Sequence, residues 1–98
     1  MASTDTKTTT DHGVIRTWAE ERGGRPATVA GTGHRGEEVG VLRIHFPDAG
    51  ADGQLRDIAW DAFFDKFEAS ELAFAYQEHT SDGALSRFGK FVSRHQNL

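Results

Sequence analysis

The feature that most constrains the fold lies between residues 58 and 94, where a helix pattern is followed at once by a hairpin pattern. Large aromatic residues recur there at i, i+3, i+4 and i+7, the spacing of a helix face that packs on a core: Trp60, Phe63, Phe64 and Phe67. Residues 72–79 then alternate with a period of two, as a half-buried strand does. The pattern predicts a helix that ends near Ser70 and a strand that begins at Leu72.

The hairpin after this helix can be given a register from the sequence. Residues 82 and 83 are Asp-Gly, which is typical of a two-residue type I′ turn. The opposed pairs that this turn predicts are Phe74 with Phe91, Tyr76 with Gly89, and Glu78 with Arg87. An aromatic pair, a ring beside a glycine and a pair of opposite charges all favour this register, and a shift by one residue loses them.

The N-terminal part predicts a tail and a capped helix. Residues 1–10 contain no large aliphatic or aromatic side chain after the initial methionine, so we expect a disordered tail ahead of one domain spanning residues 11–95. Thr10 or Asp11 is expected to cap a helix that reaches about Arg22.

The middle of the chain predicts two strands and the start of the second helix. A short strand is expected over residues 27–30, and a half-buried strand over residues 39–46. Asp57 is the expected N-cap of the second helix. The predicted fold is a two-layer α+β domain in the order α-β-β-α-β-β, with a four-stranded antiparallel sheet and both helices on one face.

Composition limits the classes of function. The chain has 98 residues, no cysteine and a net charge of −4, which suits one modest core and excludes disulfides and thiolate metal sites. We find no apolar run near the roughly 18 residues of a membrane span, and the first ten residues lack the apolar region of a secretory signal. A cytoplasmic protein that does not bind membranes is therefore expected.

Sequence motifs assign no catalytic, cofactor or metal site. Residues 31–36 spell G-x-G-x-x-G, but the dinucleotide fingerprint needs a helix after its last glycine, and Glu37, Glu38 and a predicted strand follow instead. No two of the five histidines have the i, i+3 or i+4 spacing of ligands on a helix. A nucleophile with a nearby base is not indicated either. We therefore predict a hairpin loop at residues 31–38 and no enzymatic activity.

The sheet face opposite the helices is the predicted binding surface. The side chains expected under the helices are Leu72, Phe74, Tyr76 and Phe91. The side chains expected on the open face are Ala73, Ala75, Gln77, Phe88, Lys90 and Val92. A partly apolar sheet face of this kind can bind a partner or a second copy of the chain. With the adjoining strand included, the predicted partner-binding residues are Arg43, His45, Phe88, Lys90 and Val92.

Single-stranded nucleic acid is an alternative partner. Aromatic and cationic side chains on an open sheet suit stacked bases and phosphates. The residues of such a site would be Arg25, Arg43, Phe88, Lys90 and Arg94. The negative net charge and the lack of adjacent aromatic residues on central strands oppose this alternative.

Four runs of sequence carry a family resemblance, namely residues 11–29 (DHGVIRTWAEERGGRPATV), 40–47 (GVLRIHFP), 60–67 (WDAFFDKF) and 72–78 (LAFAYQE). They resemble a family of small uncharacterised bacterial proteins whose members often carry the name 1,4-alpha-glucan branching enzyme. The resemblance implies a bacterial cytosolic domain that occurs alone, and it carries over no catalytic residues. Glucan-branching enzymes of the barrel type need a (β/α)₈ scaffold of at least about 200 residues, which this chain cannot build.

The sequence thus predicts a non-enzymatic binding or interaction module without a cofactor. Its partner is an unknown protein or a second copy of the chain, reached through the open sheet face or by self-association. Nucleic-acid binding is the first alternative. A glucan-associated accessory protein, which would recognise sugar by Trp or Tyr stacking, is the second.

Overall fold

Two helices and six strands form the part of the chain that the computed structural model describes, residues 6–32, 39–49 and 53–94. The helices are α1 (His12–Glu21) and α2 (Trp60–Ala69). The strands are β1 (Lys7–Thr9), β2 (Arg25–Val29), β3 (Leu42–His45), β4 (Leu55–Asp57), β5 (Leu72–Tyr76) and β6 (Gly89–Ser93). The strands predicted over residues 27–30 and 39–46 correspond to β2 and β3.

The strands form two antiparallel sheets of three strands each, in the orders β1-β5-β6 and β3-β2-β4. The α+β class and the antiparallel pairing are confirmed, and the single four-stranded sheet is wrong. The difference arises from β1 and β4, two three-residue strands that the sequence pattern did not indicate. Each of them pairs with one of the predicted hairpins, so the two hairpins become the centres of separate sheets.

The predicted tail does not extend to residue 10. Lys7–Thr9 forms β1 and pairs with β5, with Thr9 opposite Phe74 and Lys7 opposite Tyr76. The Lys7 ammonium also lies 2.5 Å from a carboxylate oxygen of Glu78. Polar residues can therefore be held in a strand when a neighbouring strand supplies the hydrogen bonds. Residues 1–5 lie outside the described residues.

The two helices begin in different ways. The Asp11 carboxylate accepts a hydrogen bond from the Val14 amide at 3.1 Å, which confirms Asp11 as the cap of α1. The expectation for Asp57 is wrong, because this residue belongs to β4 and α2 begins after Ala59, whose methyl group cannot accept a hydrogen bond. Ser70 ends α2, as predicted.

The hairpin register is confirmed over β5 and β6, where Phe74 lies opposite Phe91 and Tyr76 opposite Gly89. The turn differs from the prediction. The Gly83 amide donates to the Thr80 carbonyl at 3.0 Å, and the Thr80 amide donates to the Ala84 carbonyl at 2.7 Å. The loop therefore has three residues and ends at Gly83, whose φ of 91° lies in the left-handed region.

The longer loop shifts the pairing near the hairpin tip by one residue, so that His79 lies opposite Leu85. The predicted ion pair between Glu78 and Arg87 is wrong for this reason. Glu78 pairs with Lys7 instead. Arg87 donates to an Asp48 carboxylate oxygen at 2.7 Å, and its guanidinium lies 4.8 Å from the centre of the Phe46 ring.

The core lies where both helices meet the Phe74 and Tyr76 face of β5. Its buried cluster is formed by Ile15, Trp18, Ala19, Leu42, Phe63, Phe67, Phe74 and Tyr76. Trp18 and Phe74 pack edge to face at 5.1 Å, a preferred aromatic geometry. Phe64 of the predicted stripe is half-buried, and its ring stacks on His12 at 4.1 Å. Helix α2 therefore buries Phe63 and Phe67 more deeply than Phe64.

Candidate functional site

The structure separates the predicted partner-binding residues. Arg43 and Lys90 line one cleft between the two sheets. His45 is hydrogen-bonded to the Asp57 carboxylate, and Val92 is half-buried. Phe88, which precedes β6, is 42% exposed. The cleft with Arg43 and Lys90 is therefore the place where predicted residues from both sheets come together.

This cleft, called here the seam cleft, has a volume of about 330 Å³ and lies beside β3, β6 and the C-terminal turn of α2. The residues that matter for its chemistry are Val41, Arg43, Lys66, Ser70, Lys90 and Phe91. Strands β3 and β6 are edge strands of different sheets that lie close together. Within the described residues, no hydrogen-bonded strand pair joins the two sheets.

Local hydrogen bonds fix the start of β3 and so position Arg43. The Thr28 hydroxyl, which is fully buried, donates to the Val41 carbonyl at 2.9 Å and accepts from the Gly40 amide at 2.9 Å. The Val41 amide donates to the Thr32 hydroxyl at 2.8 Å. The backbone on this side of the cleft is therefore held by side chains of β2 and of the turn after it.

Most basic side chains of the protein already have an anionic partner. The ion pairs are Lys7 with Glu78, Arg16 with Glu20, Arg22 with Glu21, Arg25 with Asp57, Arg87 with Asp48, and Arg94 with Glu68. Arg56 and Lys66 have interaction partners as well. The described residues supply no such partner for Arg43 or Lys90. Two cations without a described partner therefore line one cleft, in a protein of net charge −4.

Apart from Lys66, which already has an interaction partner, the remaining lining of the seam cleft is apolar or carries a hydroxyl group. Val41, Leu72 and Phe91 supply the apolar wall, and Ser70 lies at the end of α2. Among the described residues, neither a carboxylate nor a histidine lines the cleft. A site with this lining attracts anions and lacks the usual general bases.

Two residues of the nucleic-acid alternative take part in carboxylate networks. Arg25 lies 3.7 Å from Asp57, which also accepts a hydrogen bond from His45 Nδ1 at 2.9 Å. Arg94 bonds to both carboxylate oxygens of Glu68 and to the Leu72 carbonyl. Arg94 is therefore held by Glu68, whereas the exposed 3.7 Å ion pair engages Arg25 only weakly.

The carboxylates of such networks have shifted ionisation. The hydrogen bond from Arg94, and then the one from His12, hold the pKa of Glu68 below its usual value. The Arg87 guanidinium lowers the pKa of Asp48 in the same way. Both shifts follow from a cation that stabilises the charged form.

A single buried cation, Arg22, lies between α1 and the tip of the β5–β6 hairpin, in a region called here the Arg22 corner. The Arg22 side chain is 2% exposed and donates to the carbonyls of Ser86, Glu78 and Trp18 at 2.6, 2.8 and 2.9 Å. Its guanidinium lies 4.6 Å from the centre of the Trp18 ring, and its burial lowers its pKa. Arg22 therefore joins the helix to the hairpin.

The sequence placed Arg22 at the end of the first predicted helix and assigned it no role. A signal for its burial was present, because Ile15, Trp18, Ala19 and Arg22 stand at i, i+3, i+4 and i+7 along α1. The fourth position of a buried stripe is itself expected to face the protein interior. An arginine there is tolerated where backbone carbonyls accept its hydrogen bonds.

The open sheet face is less open than predicted. Ala73 and Ala75, expected on the exposed face, are only 5% and 6% exposed. Gln77 and Val92 are half-buried, whereas Lys90 and Phe88 are exposed. Among the residues predicted for this face, the exposed large apolar side chain is that of Phe88.

A larger groove of about 860 Å³ runs between α1 and the hairpin tip, and Val14 and Leu85 are its exposed apolar residues. Its carboxylates are already engaged. Asp11 caps α1, Glu21 lies 3.5 Å from Arg22, and Glu78 pairs with Lys7. His79 also lines the groove, and Arg22 and each carboxylate of the lining already have a hydrogen bond or an ion pair among the described residues.

The described residues contain no group of three side chains that could hold a metal ion. Neither α1 nor α2, the helices among these residues, has the length and apolar character that crossing a membrane requires. Most of the G-x-G-x-x-G run, residues 33–36, and the Glu37-Glu38 pair after it lie outside the described residues.

Comparisons with family models, curated proteins and solved structures gave no match to this chain. The resemblance to the small bacterial family therefore stays a prediction from the sequence. The function has to be argued from the seam cleft and its surroundings.

Proposed function

We propose that the protein is a non-enzymatic binding module that holds an anionic group of its partner in the seam cleft. The observation that carries this proposal is the convergence of Arg43 and Lys90, the two cations without a described partner, on one cleft. Charges that lack an internal partner contribute little to the fold and are available to an external one. We place the protein in the cytoplasm on the sequence argument given above.

The lining of the cleft supports binding without catalysis. The described residues place no carboxylate or histidine in it, and these are the common general acids and bases of enzymes. The cleft volume lies near the lower end of the range of about 300–1,000 Å³ seen for ligand sites. The site is therefore suited to a small anionic group rather than to a large substrate.

The other readings of the sequence receive less support. Nucleic-acid binding would keep Arg43, Phe88 and Lys90, but Arg25 and Arg94 are paired with carboxylates. For glucan stacking, Trp18 is 4% and Tyr76 is 9% exposed, so their rings offer little surface to a sugar. Trp60 is half-buried, and its ring already stacks on Phe64 at 5.3 Å.

Self-association is a second candidate, favoured by one observation. Phe88 is a large apolar side chain that is 42% exposed, and it directly precedes β6, the strand that carries Lys90. If copies of the chain associate there, Phe88→Ala will shift the sedimentation coefficient toward that of a monomer without lowering the melting temperature. A monomeric wild-type protein at micromolar concentration contradicts this candidate.

The main proposal is tested by following backbone amide signals of ¹⁵N-labelled protein during titration with inorganic phosphate and, separately, with sulfate. We expect the signals of Val41, Arg43 and Lys90 to shift with either anion, because both are drawn to the same two cations. The shifts should decrease at high salt, where exposed charges are screened.

A matched control separates the cleft from general electrostatics. Arg25→Gln removes one positive charge from an exposed arginine outside the cleft, and it should leave the titration unchanged. The double variant Arg43→Gln/Lys90→Gln should abolish the shifts. Equal behaviour of the control and the double variant would show that the anions respond to net charge and not to this site.

A further inference from the structure

We infer that the natural ligand of the seam cleft is a small phosphomonoester, bound between the two sheets through its phosphoryl group. This inference rests on the proposed function, because it names the chemical class of the anion. It goes further in stating the charge, the size and the structural effect of the ligand. Each of these follows from a different property of the cleft.

The charge of the ligand follows from the two cations. Three cations line the cleft, and one of them, Lys66, already has an interaction partner. Arg43 and Lys90 lack a described partner, and together they match an anion with two charges. A phosphoryl group of a monoester carries about −1.5 to −2 near pH 7, since its second pKa is about 6, and it offers three acceptor oxygens. A carboxylate supplies one charge and would leave one cation unmatched.

The size of the ligand follows from the volume and the walls. A cleft of about 330 Å³ is larger than a phosphoryl group needs, so part of it is left for an organic body. Val41, Leu72 and Phe91 provide apolar contacts for that body, and the Ser70 hydroxyl is available as a donor or an acceptor. The cleft is thus suited to a small organic phosphate.

The surroundings disfavour a polymer with the same chemistry. A nucleic-acid strand needs a track of cations along its backbone, whereas Arg25, Arg87 and Arg94 are each paired with a carboxylate. The net charge of −4 adds repulsion that grows with the length of a polyanion. A single phosphoryl group avoids most of this repulsion because it meets only the local charges.

The effect on the fold follows from where the cations lie. Arg43 belongs to β3 in one sheet and Lys90 to β6 in the other, and the described residues show no hydrogen-bonded strand pair between these sheets. A phosphoryl group that contacts both side chains therefore links the sheets. Since it binds the folded chain and not the unfolded one, it raises the melting temperature.

The test is a calorimetric and thermal titration of the full chain with inorganic phosphate, glycerol 3-phosphate, hexose 6-phosphate, a nucleoside 5′-monophosphate, unphosphorylated hexose and a single-stranded oligothymidylate. We expect at least one monoester to bind ten times or more tighter than inorganic phosphate and to raise the melting temperature. Unphosphorylated hexose should not bind. Arg43→Gln and Lys90→Gln should each lower the affinity for the monoester at least tenfold, and Arg25→Gln should leave this affinity unchanged.

The pH dependence of monoester affinity is a second test, because it reports the charge of the bound phosphoryl group. Binding of the monoester should weaken from pH 7 to pH 5, because the phosphoryl group loses its second charge near pH 6. Sulfate, whose charge is constant over this range, should show no such change. A pH-independent monoester affinity would overturn the dianion assignment.

The outcomes distinguish this inference from the proposed function. If no anion perturbs the cleft, both are wrong. If inorganic phosphate and sulfate bind but no monoester binds more tightly, the proposed function stands and the phosphomonoester is wrong. If the oligothymidylate binds more tightly than every monoester, the ligand is a nucleic acid and this inference is overturned.

Discussion

The Arg22 corner and the seam cleft contain the same kind of charge in opposite situations. In the corner, one guanidinium is 2% exposed and donates hydrogen bonds to three backbone carbonyls. In the seam cleft, Arg43 and Lys90 are exposed, and the described residues provide neither with an ion pair. The corner cation is part of the fold, whereas the seam cations are available to something outside it.

This difference shows that the number of cations says little about their role. A buried charge is costly unless its hydrogen bonds are satisfied, so its presence indicates a structural role. An exposed cation without a partner costs little to keep and little to remove. Substitution of each type should therefore affect different properties, namely stability in the corner and binding in the cleft.

The largest expected effect is on stability, from Arg22→Met. The carbonyls of Ser86, Glu78 and Trp18 would lose their donor, and an unsatisfied buried group costs about 1–3 kcal/mol. We expect the free energy of unfolding to fall by about 3 kcal/mol or more, measured by urea denaturation. Arg22→Lys should recover only part of the loss, because an ammonium lacks the planar fork of donors.

Arg16→Met is the matched control for this change. Arg16 is an exposed arginine of the same helix whose side chain pairs with Glu20 at i, i+4. Its guanidinium also lies 5.9 Å from the centre of the Trp60 ring, so its loss should cost no more than about 1 kcal/mol. Similar losses for the two variants would show that the buried hydrogen bonds of Arg22 are not what holds the corner together.

A smaller loss of stability is expected where the corner meets β6, from Gly89→Ala. A Cβ atom there would lie 2.5 Å from Phe74 Cζ and 3.0 Å from Trp18 Cη2, so the rings beside Arg22 would have to move. Overpacking of this kind costs about 1–3 kcal/mol. Gly53→Ala is the control, because the described residues leave open space around its Cβ. If Gly89→Ala left the free energy of unfolding unchanged, the aromatic core near the corner would have to adapt easily to the added methyl group.

Substitution of Arg43 or Lys90, the cations of the seam cleft, should hardly change stability. Arg43→Gln and Lys90→Gln should each change the free energy of unfolding by no more than about 0.5 kcal/mol in urea denaturation. The physical reason is that neither substitution removes an ion pair formed among the described residues. A loss close to that of Arg22→Met would place these residues in the fold and remove the distinction between the two regions.

The smallest effect is expected in the pH dependence of the paired carboxylates. Arg94, and then His12, lower the pKa of Glu68 in the folded chain. A lowered pKa contributes stability that is present above the unfolded value, about 4.3 for glutamate, and that is lost as the pH falls through the folded value. Glu68→Gln should therefore flatten the acid limb of a plot of melting temperature against pH.

Local periodicity predicted the parts of the fold that rest on neighbouring residues. The stripe of α2 and the Phe74–Phe91 register were readable because each repeats a regular spacing. Strands β1 and β4 were not readable, since three residues without apolar alternation become a strand only when another strand pairs with them. The division into two sheets depends on these short strands and was missed with them.

The sequence predicted two residues of the candidate site, but it did not predict that they would lie in the same cleft. Arg43 and Lys90 were named because they alternate with core residues on their strands. Their meeting depends on how β3 and β6, edges of different sheets, lie against each other, and a strand pattern does not contain that information. The role of these residues stays a prediction until the titrations are made.

The hydrogen bonds of Arg22 also have a consequence for the rate of unfolding. Its acceptors in the hairpin lie 56 and 64 residues further along the chain, so a large loop must close before the guanidinium can leave water. We predict that this contact is completed only after the folding transition state, which corresponds to a φ-value near zero. Interactions absent from that state slow unfolding and hardly change the folding rate. The corner should therefore govern how long the native chain persists, which stopped-flow unfolding of Arg22→Met would show as a faster rate.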